Sequence, residues 1–504
     1  VKLNSQYYFY METQAALAIP DEDNCMVVYS SSQCPETAQN VIAKCLGLPC
    51  HNVRVITRRV GGGFGGKAVR SLPAKVCKTN ISTKSAMRGP GEVQGSYVAE
   101  AIIEHVASTL SADANLIRQR NLHTVESLAL FYSECSEDAM GYTLHSICDQ
   151  VTASENYQGR LETIESFNKN NKWKKRGLSF VPIVHKVLSR PTPGKVSILN
   201  DGSVAVEVGG IELGQGLWTK VKQMAAFGLG QLCPDRSQEL LERIRVIQAD
   251  TLSNVQGGWT AGSTTSESSC EAVRHACNVL VDRLKPVKEQ FQEKQGNVSW
   301  DELISKAIMI GVDLSAREYY VPGPSGSYLN YGAATSEVEI DLLTGASTIV
   351  RSDLIYDCGQ SLNPAVDLGQ VEGAFVQGIG YFMNEEYVTN SDGLLISDGT
   401  WTYKIPTVDT IPKQFNVKLL NSGFHKKRVL SSKASGEPPL LLAASVHCAT
   451  REAIRAARNE PHCSVFGPSP SHFDLEVPAV MPVVKELCGL DSVERYLESL
   501  LTSE

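Results

Sequence analysis

Residues Gly61–Lys67 read GGGFGGK, and the residue that follows decides how the loop is read. Five glycines in seven positions let several backbone N–H groups converge on one cluster of ligand oxygens. The spacing of Gly61 and Gly66-Lys67 fits a phosphate loop, but that pattern needs a Ser or Thr next to hold Mg²⁺, and the next residue is Ala68. The stretch also fits GxGxxG. A dinucleotide site then wants an acidic residue about 20 positions on, where Met87, Arg88 and Gly89 stand, with nothing acidic before Glu92. The loop is therefore expected to meet an anionic ligand that is neither ATP–Mg nor NAD.

Working outward, Val53–Thr57 (VRVIT) reads as a strand running into the loop. Asn200-Asp201-Gly202 separates Val196–Leu199 from Ser203–Val208, a hairpin signal. Thr344-Gly345 marks a second hairpin between Glu337–Asp341 and Ser347–Ile355, and Asp392-Gly393 a third. Helices are interleaved. From Gln94 to Leu110, residues Val98, Ala101, Ile102, His105 and Val106 share one helical face. A helix over Glu267–Leu284 carries Cys270, Val273, Cys277, Leu280 and Val281 on one face, with N-caps at Thr264–Ser266 and a stop at Pro286. Another starts at Pro438-Pro439 and runs through Arg458. Hairpins rather than regular βαβ units predict an α+β fold.

The chain has 504 residues, enough for several domains. Hydrophobic content of 42% and charged content of 20% are those of a globular protein. A net charge of −8 argues against nucleic acid or anionic membrane as the main partner. The longest apolar run, Leu440–Val446, is too short to span a bilayer. The chain opens on Val1 without a Met and without signal-peptide layout, and reads as a fragment of a cytoplasmic protein. None of its 14 cysteines forms a CxxC pair and there is no HExxH, so a Cys/His metal cage is not expected. The cysteines read as buried small hydrophobes in a reducing compartment.

Four further segments share the style of the loop: Ser30–Gln33 (SSSQ), Gly209–Gly216 (GGIELGQG), Gly257–Ser266 (GGWTAGSTTS) and Leu368–Gly380 (LGQVEGAFVQGIG). Each offers neutral donors with little charge, which suits a large polar ligand with amides, a pterin-like ring and a phosphate. Singly, each is an ordinary turn; together they are harder to dismiss. Hydroxyls at Thr264–Ser268 open a helix and so provide an anion site or a plain cap. Glu437, in SKASGEPP (Ser432–Pro439), stands before a helix whose dipole favours the ionised carboxylate a general base requires. Its plain alternative is a capping Glu. Lys67 and Arg88 are candidates for an anion, or solvated surface charges. Gly369 and Gly373 read as close helix packing.

These segments, with MRGPG (Met87–Gly91) and SLNPAVDLGQVEGAFVQG (Ser361–Gly378), resemble the molybdenum-binding part of the aldehyde oxidase/xanthine dehydrogenase family, on its plant aldehyde oxidase side. Seven separated motifs occur in the family's order over nearly the whole chain. The resemblance implies a molybdopterin cofactor with molybdenum held by the pterin. Gln33, Phe64, Arg88 and Gly262 would lie beside the metal. Gly65, Gly214, Gln215, Ser263, Thr265 and Gln370 would hold pterin or phosphate. Glu437 would be the general base of aldehyde hydroxylation, with water as the oxygen source. Ala68 and Pro90 would face the substrate. Xanthine dehydrogenases carry a Glu in place of Ala68 and an aromatic residue in place of Pro90, so aldehydes are favoured over purines.

The resemblance further implies a homodimer and iron–sulfur and flavin (FAD) domains on the N-terminal side. It divides the chain into a first molybdopterin-binding domain (1–123), a linker (124–145), a second such domain (146–460) and a peripheral tail (461–504). The first domain is expected to lack an internal segment after about residue 73, where Lys75-Val76-Cys77-Lys78-Thr79-Asn80 follows almost at once. A non-catalytic remnant is the alternative reading.

Overall fold

The computed structural model describes residues 5–69, 87–135, 141–154, 157–234, 237–253, 256–295, 298–323, 326–423, 429–459, 472–489 and 501. The junction after residue 73 and the Lys75–Asn80 stretch lie outside them.

The α+β expectation holds: three four-stranded mixed sheets are interleaved with helices. The first sheet has the order β1 (Ala16–Asp21), β2 (Cys25–Ser30), β3 (Val53–Thr57) and β8 (Ala249–Asp250). β2 and β3 run parallel, with the helix Pro35–Leu46 as crossover. The second sheet sets β12 (Gln414–Leu420), β11 (Ser347–Asp357), β10 (Ser327–Asp341) and β4 (Lys174–Leu188) side by side. The third sets β7 (Ile244–Val246), β6 (Val204–Val208), β5 (Thr192–Ile198) and β9 (Ser315–Tyr320).

Strand VRVIT, the β5–β6 hairpin at Gly202 and the β10–β11 hairpin at Gly345 form as the sequence predicts. The Asp392-Gly393 turn also forms, but its arms make only an isolated bridge, Thr389 with Leu395. The second sheet is covered on both faces. Val181 and Ile183 join the main core under the helices Pro364–Ile379 and Ala444–Arg458, while Phe180 packs with Leu144, Ile147 and Val151 on the other face. The third sheet builds a separate core with the helices Leu217–Leu229, Thr265–Gln295 and Trp300–Met309.

Four expectations are corrected. In the helix Glu92–Leu110 the buried residues are Val93, Tyr97, Glu100, Glu104 and Ala107, while Ile102 and Val106 are exposed. Two carboxylates go inside because arginines meet them there: Arg118 lies 2.6 Å from Glu100 and 2.5 Å from Glu104, and Arg451 and Arg455 each lie 3.3 Å from Glu104. Pro286 does not stop its helix, which continues to Gln295. The missing hydrogen bond is outweighed by an apolar stripe, Leu284, Val287 and Phe291, that stays on the core. The helix predicted from Pro438 begins as a 3₁₀ turn, Pro438–Ala443, before Ala444–Arg458. Finally, the segment after residue 471 is not peripheral: Phe473, Leu475, Val477, Ala479, Val484 and Cys488 are buried in the main core.

Candidate active site

Loops from all three sheets converge on one cavity of about 940 Å³. All thirteen site residues expected from the sequence line it: Gln33, Phe64, Gly65, Ala68, Arg88, Pro90, Gly214, Gln215, Gly262, Ser263, Thr265, Gln370 and Glu437.

The glycine loop is held from both sides. Gln33, 2% exposed, accepts from the backbone N–H groups of Gly65 (3.1 Å) and Lys67 (3.2 Å) and donates to the Thr260 carbonyl (2.9 Å). A Cβ on Gly63 would meet its Oε1 at 2.5 Å, so this glycine is required for the approach. Phe64 takes φ +49°, a strained value for a residue with a side chain. Its carbonyl accepts from Arg88 N–H at 3.1 Å. Lys67 is neither a surface charge nor part of the cavity wall. It is fully buried, with Nζ 2.7 Å from the Glu12 carboxylate, which also accepts from Gly61 N–H.

Arg88 is the link to the far wall. Its guanidinium donates to Gln377 Oε1 (3.1 Å) and Gln370 Oε1 (3.2 Å), which lie seven residues apart on one face of the helix Pro364–Ile379. On the same helix Gly369 and Gly373 line the cavity, and a Cβ on either would find no atom within 4 Å. Their packing expectation is thus corrected: they leave room for an occupant. Close packing falls to Gly378 instead, whose Cβ would meet the Leu440 carbonyl at 2.5 Å.

Glu437 follows Gly436 at the entry to the 3₁₀ turn. The helix-dipole expectation is corrected. Pro438 and Pro439 have no N–H to offer, and burial pushes the carboxyl above its ordinary value of 4.5. The Arg88 guanidinium beside it and the Gly262 and Gly89 N–H groups pull the other way, and Glu92 adds to the rise. Arg88 in turn is brought down to about 10 by burial, against the attraction of Glu437. A base whose pKa rises toward the working pH is better matched to proton transfer.

The remaining turns are ordered internally. Glu212 accepts from Gly214 (2.9 Å), Gly216 (3.1 Å) and Trp218 (2.8 Å) N–H groups, capping the helix Leu217–Leu229, and Gln215 closes the same turn on Leu213 and Ile211. Ser263 and Thr265 line the cavity where the helix Thr265–Gln295 begins. Beneath them Lys220 and Asp367 form a buried ion pair at 2.6 Å, with Ser435 Oγ donating to Asp367 at 2.7 Å. The sequence reading missed Glu212, Lys220, Asp367 and His185. An acidic residue just before a helix signalled Glu212; a partner 147 residues away signals nothing.

The cavity fits a large, flat, polar cofactor. Its volume is that of a cofactor pocket, glycines 214, 369 and 373 leave it open, and neutral donors line it. Among the described residues no three His, Cys, Asp or Glu side chains gather to hold a metal ion.

The molybdopterin cofactor-binding domain family is matched over residues 150–412 and, in two pieces, over 1–77 and 71–122. Indole-3-acetaldehyde oxidase of Zea mays is 58% identical over 591 aligned positions, covering 99% of this chain and 44% of that protein. Abscisic-aldehyde oxidase of Arabidopsis thaliana is 53% identical, covering 100% of this chain and 45% of that one. The chain thus spans less than half the length of these relatives. Quinoline 2-oxidoreductase from Pseudomonas putida 86 shares the fold with a TM-score of 0.76 at 17% identity, over 90% of this chain and 73% of that one. Aldehyde oxidoreductase from Desulfovibrio gigas does so with a TM-score of 0.75 at 17% identity, over 96% and 60%. The chain belongs to the molybdopterin cofactor-binding domain family.

Proposed function

We propose that this chain serves the oxidation of aldehydes to carboxylic acids, with water as the oxygen source. The single observation that carries the reading is the convergence of Glu437, Arg88 and the glycine-rich turns on one cavity. When bound, molybdopterin supplies molybdenum as the acceptor of the aldehyde's two electrons. The chain's residues do the rest. Glu437 takes the proton of the water-derived oxygen as it attacks the aldehyde carbon. Arg88 keeps that carboxylate ionised, while Gln370 and Gln377 fix the guanidinium. Gln33 holds the loop Gly61–Lys67 against the occupant. Phe64 and Gly262 would flank the metal, and Gly65, Gly214, Gln215, Ser263 and Thr265 the pterin and its phosphate.

Ala68 and Pro90 favour an aldehyde over a purine, since neither side chain hydrogen-bonds a purine edge. Indole and abscisic aldehydes, the substrates named for relatives in maize and Arabidopsis, are the first candidates. The two family matches, over 1–122 and 150–412, support a first cofactor-binding unit at 1–123, a linker at 124–145 and a second unit that starts at 146. Relatives align over 591 positions against the 504 residues here, and the first match breaks at 71–77; both support a missing internal segment after about residue 73. The same reading assigns iron–sulfur and flavin partner domains, a homodimer and a cytoplasmic setting.

Dye-linked turnover of aldehydes by the purified chain tests the function. Glu437→Gln is expected to lower it by about 10²–10⁴-fold; an unchanged rate removes Glu437 as the base. Cofactor loading without turnover favours the remnant reading.

A further inference from the structure

One polar side chain in the cavity wall has no task in this chemistry. His185 is 6% exposed, lines the cavity, and has no hydrogen-bond partner for either ring nitrogen among the described residues. A buried polar atom with its bond unmade is costly and calls for a partner.

The sheet sets its position. Along β4, Ile183, His185 and Val187 share one face, opposite Gly332, Asn330 and Tyr328 of β10. That face meets the segment leading to Glu437: Asn330 donates to the Ala434 carbonyl, and Ala434 N–H donates to the Tyr328 hydroxyl at 2.9 Å. Glu437 lies three residues farther on. The donors assigned to the cofactor come from elsewhere, Gly214 and Gln215 after β6 and Ser263 and Thr265 at a helix start. His185 therefore faces the molecule that reaches Glu437. Burial holds its imidazole down to about 4, so at neutral pH it offers one N–H donor and one acceptor. Phe9, Phe64, Val187, Leu188 and Trp259 supply apolar wall to the same cavity.

We propose that His185 is the hydrogen-bonding anchor for the non-reacting end of the substrate, selecting aldehydes that carry a neutral N–H or hydroxyl group on a planar, otherwise apolar body. The assignment rests on the aldehyde reading above. A neutral hydrogen bond distinguishes such a ligand from an isostere lacking it by about three- to tenfold.

The test compares indole-3-carboxaldehyde with 1-benzothiophene-3-carboxaldehyde, in which sulfur replaces the N–H. Dissociation constants are measured by calorimetry on the whole chain purified from a cofactor-producing host. The wild-type chain is expected to prefer the indole by about three- to tenfold, His185→Phe to lose that preference by weakening the indole alone, and His185→Gln to keep part of it. Nitrogen NMR of the ¹⁵N-histidine-labelled wild-type chain needs no variant: one imidazole is expected to shift with the indole and not with the thiophene. Equal affinities, a preference that survives His185→Phe, or no histidine shift overturns the assignment. If neither aldehyde binds, the aldehyde reading falls and this assignment with it. If both bind equally while Glu437→Gln still abolishes turnover, only the role of His185 falls.

Discussion

Replacing Gln33 by Ala isolates the element that shapes the glycine loop. The side chain makes three hydrogen bonds, two from loop N–H groups and one to the Thr260 carbonyl, at 2% exposure. At about 1 kcal/mol net for each neutral bond, their loss costs about 3 kcal/mol. The cavity borders the site, so water can reach the freed groups and brings the expected loss to about 2–3 kcal/mol. That destabilisation is local. It is read as hydrogen exchange at the Gly65 and Lys67 amides, which should quicken by roughly 30- to 150-fold, since about 1.4 kcal/mol corresponds to a tenfold change. Amides in β10 and β11 serve as the internal reference and should not change. The effect is expected in chain without cofactor, because the clamp is internal to the protein. Unchanged protection of Gly65 and Lys67 would refute the idea that Gln33 holds the loop.

Glu437→Gln is expected to leave stability equal or higher at neutral pH. Its folded pKa is raised above the ordinary 4.5, so the ionised group costs stability above that value and the cost is relieved as pH falls; urea midpoints across pH check this. The turnover rate should fall as pH drops through that same raised pKa. Arg118→Ala strands Glu100 inside the protein, while Glu104 keeps Arg451 and Arg455, and should cost about 3–5 kcal/mol, measured by denaturant unfolding. His185 and His447 are both held down to about 4 by burial. The unfolded chain binds those protons first, so each removes on the order of 3 kcal/mol of stability as pH falls from about 6.5 to 4. His447→Phe should flatten part of that decline.

Much of this was legible in the sequence because local rules govern it. Val53–Thr57 is β-branched and leads into glycines, and the turns at Gly202 and Gly345 need the positive φ that glycine supplies. The site was legible as a set of segments of one chemical style, and most of its thirteen residues come from glycine-rich turns, with Gln33 and Gln370 as exceptions. What remained hidden depends on partners far along the chain. Glu100 and Glu104 look solvent-facing until Arg118 and the helix Ala444–Arg458 are brought against them. Gly369 and Gly373 suit a tight interface as well as an open wall, and only the position of the Arg88 side chain between Gln370 and Gln377 decides which. A helix dipole at Glu437 needs free N–H groups in the turn that follows, which Pro438 and Pro439 exclude.

The most direct measurement is the molybdenum and pterin content of the chain purified from a cofactor-producing host, beside Gly373→Leu. A Cβ at Gly373 meets no atom within 4 Å, and the position lines the cavity, so the leucine takes up cavity space. The expected result is about one pterin and one molybdenum per wild-type chain, and neither in the variant at unchanged circular dichroism. Equal loading of both, or loading of neither by a folded wild-type chain, would contradict the cavity as the cofactor's seat.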